Sequence, residues 1–195
     1  MIPFWLWAFN GPFNIMNSTI LKLLLVCSFL IACTDSAELQ ENSRAQKVLL
    51  QYKQDLKSAL SLGMNEGFVE AVSVCRVKAP KIASELSQGG IRVGRTSHRL
   101  RNPDNAAPDW VEPILREYIE DLTTREPRHI QLKGNRLGYV EPIILQPICT
   151  ACHGEVIADA IADQIKTLYP DDRAVGFKPG DLRGVIWMDY PPGDL

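Results

Sequence analysis

The stretch 130–145, IQLKGNRLGYVEPIIL, reads as two strands folded back on one turn. Ile130-Gln131-Leu132 alternates apolar and polar side chains, the period of a strand with one buried face. Gly138–Leu145 is a second extended run, rich in β-branched and aromatic residues. Between them Lys133-Gly134-Asn135 reads as the turn. An antiparallel hairpin follows. Two further segments have strand character, Ile91–Thr96 and Leu182–Met188, the latter after the turn Pro179-Gly180-Asp181.

Helical periodicity fills the remainder. Between Ser43 and Leu62 apolar residues recur at Val48, Leu49, Tyr52, Leu56, Ala59 and Leu60, and Gly63 is expected to end that helix. A second helix starts near Asn65 and carries Phe68, Ala71, Val72, Cys75 and Ala79 on one stripe. Pro80 is expected to break or bend it before Gly89-Gly90. The proline-rich segment Asn102–Pro108 is a loop, and Asp109 is placed to cap a helix reaching about Leu122. Another helix spans about Glu155–Leu168 and stops at Pro170. Helices first, then hairpin-like strands interrupted by helices, predict an α+β domain on an antiparallel sheet.

The chain has 195 residues, 46% hydrophobic and 23% charged, with a formal net charge of −2. That composition excludes collagen-like, low-complexity and wholly disordered chains, and it lacks the basic excess of a nucleic-acid binder. Residues 1–32 hold one charge, Lys22, followed by the apolar run Leu23–Ala32. That run is shorter than the roughly 20 residues of a membrane span and fits the core of a secretory signal, with Met16 as the expected initiator. Leu30-Ile31-Ala32-Cys33 resembles a bacterial lipobox, which makes Cys33 a lipid attachment point. An organisation follows: signal peptide 1–32, tether 33–42, domain 43–195. The expected location is the periplasm or cell envelope, held to the membrane by the N-terminal lipid. Thr34 after the cysteine favours the outer membrane.

Chemistry concentrates at Cys149-Thr150-Ala151-Cys152-His153. CxxCH is the attachment pattern of c-type haem. On one helical turn positions i, i+3 and i+4 share a face, so both thiols reach one porphyrin and His153 can ligate its iron. A thioredoxin-like CxxC pair would need a βαβ context, and a zinc site would need a second Cys/His cluster; His98 and His129 stand isolated in the sequence. Of the five cysteines, Cys27 leaves with the signal, Cys33 takes lipid and two take haem. Cys75 remains, on the apolar stripe of its helix. It is either a small buried hydrophobe or a second ligand to the iron.

Four blocks, AVSVCRVKAPKIA (71–83), RVGRTSHRLRNPDNAAPDW (92–110), CTACHG (149–154) and YPDDRAVGFKPGDLRG (169–184), resemble the c-type haem family of PAS-like sensor domains over about residues 45–188. Members stand alone as secreted proteins or form the extracytoplasmic part of signalling proteins. The resemblance implies a PAS-like antiparallel sheet with flanking helices and one covalent haem c. It also implies Cys–His axial ligation, here by Cys75 and His153. His98, Met64, Met188 and His129 are the competing ligands, and His98 stands where the family pattern has a lysine.

Arg95, Arg99 and Arg101 lie close together and are candidates to pair with the haem propionates. Trp110, Trp187 and Tyr139 are read either as porphyrin contacts or as core. The function expected is a cytochrome-like monohaem protein for electron transfer or for redox or gas sensing, with an unidentified redox partner, a small gas as a potential ligand, and no enzymatic activity. The alternatives are a peroxidase-like enzyme with an open distal site, and a haem-free interaction lipoprotein with Cys149 and Cys152 as a disulfide.

Overall fold

The computed structural model describes residues 47–121 and 123–192. The signal, Met16, Cys33 and the tether lie outside the described residues. Residues 47–66 are helical (α1), and α2 follows as Phe68–Leu86. Four strands, β1 (Arg92–Thr96), β2 (Arg128–Leu132), β3 (Arg136–Ile144) and β4 (Leu182–Tyr190), form one sheet in the order β1-β4-β3-β2. All three pairings are antiparallel. The remaining helices are α3 (Glu112–Glu120), α4 (Thr150–His153) and α5 (Asp159–Leu168). The α+β architecture on an antiparallel sheet is the one the sequence pattern predicts.

The hairpin 130–145 forms around Gly134 and Asn135, both with left-handed backbone (φ 69° and 56°). Pro142 sits inside β3 without breaking it. β2 pairs only as far as Val140, and Pro142 lies beyond that point, where its missing N–H costs no ladder bond to β2.

Alternation along the strands builds two apolar layers. Tyr139, Ile186 and Met188 face one side, with Leu49 and Tyr52 of α1 and the end of α2 packed on them. Val140 and Val185 face the other, under Ile114, Leu115 and Tyr118 of α3. Each such side chain, fully buried, contributes about 1.5–3 kcal/mol of transfer free energy. Trp110 and Trp187 belong to this second layer. They stack edge to face and lie over Gly138 and Gly94, where a Cβ would come within 3 Å of an indole ring. Their role is therefore core packing.

Four boundaries differ from the sequence reading. Gly63 does not end α1; the helix runs to residue 66 and breaks at Gly67, whose φ is 122°. Gly63 is instead a point of close approach, since a Cβ there would lie 2.8 Å from the Cα of Ala71. Pro80 does not interrupt α2, which continues to Leu86, and the turn after it (Ile82, Ala83, Leu86) packs on Leu49 and Tyr52 of α1. The helix predicted over Glu155–Leu168 is shorter, beginning at Asp159, and Asp109 is not its counterpart's cap: α3 begins at Glu112 after Val111.

One buried charge sits at the end of β4. Asp189 is fully buried and is paired with both Arg92 of β1 and Arg136 of β3.

Candidate functional site

A 3-10 turn, Pro147–Cys149, leads into α4, so residues 149–153 form the continuous helical turn that the CxxCH spacing requires. The turn is held at both ends. Thr150 Oγ1 donates to the Pro147 carbonyl at 2.7 Å, and Gly154 N–H donates to the Thr150 carbonyl at 2.8 Å. Gly154 must lack a side chain, because a Cβ there would meet the Thr150 oxygen at 2.6 Å.

Cys149, Cys152 and His153 all line one cleft of about 280 Å³. Cys75 enters the same cleft from α2. Its walls are largely apolar, including Phe68, Val72, Ile144, Leu145 and Ile148. Among the other ligand candidates Met64 lines this cleft, whereas His98, His129 and Met188 do not. His98 rests edge-on against Phe177, and His129 against Tyr139. Met188 is buried in the sheet core.

His153 is oriented by a chain of contacts. Its Nδ1–H donates to the Ala174 carbonyl at 2.7 Å, which leaves the Nε2 lone pair for a ligand. Burial, with Arg101 and Arg183 nearby, pulls its pKa down to about 2, so the ring is neutral and fit to coordinate a metal. Asp172 accepts from the Ala174 N–H at 2.9 Å and forms a two-point ion pair with Arg101. Arg101 also donates to the Cys152 carbonyl. One buried pair thus ties α4 to the segment before β4 and fixes where the imidazole points.

Burial pushes the Cys75 and Cys152 thiols up. For Cys75 the opposing influence comes from Arg95 and Arg101. A thiol in such a place stays protonated unless a cation takes its sulfur.

The three arginines named from sequence have different surroundings. Arg95 and Arg101 line the cleft; Arg99 does not. The Arg99 guanidinium lies 3.8 Å from the Phe177 ring centre and donates to the Val175 carbonyl at 2.7 Å. A fourth, Arg183, lines the cleft as well. Burial, then Arg95 and Arg101, lowers its pKa to about 9. Its Nε, like Thr96 Oγ1 in the same cleft, is buried without a partner.

This donor set fits an iron porphyrin. Two thiols stand one turn apart beside an imidazole with a free Nε2, a third thiol enters from α2, and the walls are apolar with cations among them. Residues 34–191 match the Tll0287-like family. The chain belongs to that family. A solved structure described as the cyanobacterial heme-protein Tll0287 is similar to it, at 26% identity and a TM-score of 0.60. The alignment covers 79% of this chain and 96% of that one. No curated protein matches the chain. The haem-family resemblance drawn from the four sequence blocks therefore stands.

Asp172, Ala174, Arg183, Thr96 and Gly154 were not singled out by sequence reasoning. Gly154 had a detectable signal, as a glycine directly after the motif. Ala174 acts through its carbonyl, Asp172 through a carboxylate paired with Arg101, and Arg183 and Thr96 carry unpaired atoms, and no residue pattern announces those.

Proposed function

We propose that this chain is an extracytoplasmic monohaem protein of cytochrome type, with haem c attached through Cys149 and Cys152. In this reading His153 and Cys75 would hold its iron. A bound haem supplies one-electron iron chemistry. The protein's residues hold and tune it: Ala174 fixes the His153 tautomer, the Arg101–Asp172 pair holds the attachment turn in place, and the apolar walls exclude water.

The observation that carries the proposal is the convergence of Cys75 with the whole CxxCH set on one apolar cleft. Electron transfer or redox sensing is favoured over peroxidase chemistry. Among the described residues lining the cleft, His153 is the sole imidazole and no carboxylate is present, so the acid–base partner a peroxidase needs is missing. A thiolate ligand stabilises the ferric iron and sets a low reduction potential, which suits a sensor or a low-potential donor. Cys33 as a lipid attachment would keep the domain at the cell-envelope membrane.

The test uses exported protein. Its mass should exceed the polypeptide mass by one iron protoporphyrin, and Cys149→Ser with Cys152→Ser should remove that increment. Spin resonance should carry low-spin thiolate signatures that disappear in Cys75→Ala and persist in Met64→Leu. An unchanged spectrum in Cys75→Ala would exclude Cys75 as ligand. Loss of lipid label in Cys33→Ser would support the anchor.

A further inference from the structure

Two residues that line the cleft each carry a buried donor without a partner: Arg183 Nε and Thr96 Oγ1. Arg183 is otherwise held in place. Its guanidinium lies 5.2 Å from the Phe177 ring centre, and its Nη1 donates to the Arg99 carbonyl at 3.3 Å. The fork is positioned but its Nε is unsatisfied. A half-buried guanidinium without a counter-charge is costly, and a preorganised one is suited to two-point recognition of a planar carboxylate.

The charge balance around it is equally open. Arg95, Arg101 and Arg183 all line the cleft, and among the described residues no Asp or Glu does. The one acid that reaches this cluster, Asp172, is taken by Arg101. Arg95 has no ion pair among the described residues. Two cations therefore remain uncompensated beside two unpaired donors.

We propose that Arg183, Thr96 and Arg95 form a carboxylate-binding subsite that takes a propionate of the haem. This rests on the haem reading above and extends it from Arg95, which the sequence already offered, to Arg183 and Thr96, which it did not. Thr96 supplies a hydroxyl from the end of β1, Arg183 the Nε–H from the start of β4, and Arg95 a second guanidinium. The sheet itself thereby clamps the rim of the porphyrin, while α2 and α4 serve the iron.

The test compares haem-loaded wild type with Arg183→Leu, Thr96→Val and, as a surface control, Lys81→Gln. Resonance Raman reports the propionate bending band, and spin resonance reports iron ligation. Arg183→Leu and Thr96→Val should each shift the propionate band with unchanged iron ligation, and Lys81→Gln should leave both unmoved. Arg183→Lys should restore the band only in part, since an ammonium lacks the planar fork. Thr96→Val preserves shape, so it carries the test if Arg183→Leu does not accumulate. Bands at the wild-type position in the accumulating variants would overturn the subsite while leaving the haem intact. Binding of a free carboxylate with no change in the propionate band would also overturn it. Wild-type protein without the haem mass would overturn the haem reading and the subsite with it.

Discussion

Two buried charge clusters sit at opposite ends of β4, and they are balanced differently. At the Tyr190 end Asp189 is enclosed by Arg92 and Arg136, and its carboxylate has partners on both oxygens. The side chain of Asp189 is 1% exposed, but those of Arg92 and Arg136 are 62% and 30% exposed, so water shares their charge. At the Leu182 end Arg183 is half-buried with an orphaned, buried Nε, and the neighbouring cations have one carboxylate among them. A closed cluster of this kind holds a sheet together. An open one stores an unmet demand for an anion, which a protein retains where something else is meant to bind.

The contrast can be broken in three ways. The largest effect is expected for Asp189→Ala, which should lower stability by about 2 kcal/mol in a denaturant melt. That is below the cost of breaking a fully buried pair, because both arginines reach water. A neutral result would mean that the sheet-end cluster is not structural. Arg183→Leu should act in the opposite direction. In protein lacking haem through Cys149→Ser and Cys152→Ser, it should raise stability by about 1 kcal/mol, since it replaces an uncompensated half-buried cation with an apolar side chain. If it destabilises as Asp189→Ala does, the cleft cluster is closed after all.

The smallest effect sharpens the sheet side. Burial, then Glu141, pushes the Tyr139 phenol up to about 12 from an ordinary value of 10.0. Above pH 10 the unfolded chain releases that proton and the folded one keeps it, so the protein loses stability between pH 10 and 12. Tyr139→Phe should flatten that part of the profile, as followed by melts across the range.

Local pattern carried most of the fold. The hairpin was legible because Gly134 and Asn135 advertise their backbone, and the strands because their alternation matches two apolar layers. Gly63 and Pro80 misled for one reason: both are helix breakers by propensity, and tertiary packing of α1 on α2 overrides propensity. At the site, the motif with Cys75 could be read, since reactive residue types at fixed spacing are visible in a linear chain. The arginines were legible only as charges. Which of them lines the cleft depends on side-chain direction: Arg99 turns onto Phe177, and Arg183, eighty-four positions on, lines the cleft with its Nε unsatisfied. Asp172 and Ala174 could not be read at all, because the histidine is steered by a main-chain oxygen.

The empty position at residue 154 has an outcome of its own. Between position 154 and the start of the attachment turn at Thr150 there is no room for even a methyl group. An alanine there would have to pry the turn open, separating the second sulfur from the ring beside it. The working unit is thus six residues long, and its last member contributes by being nothing but backbone.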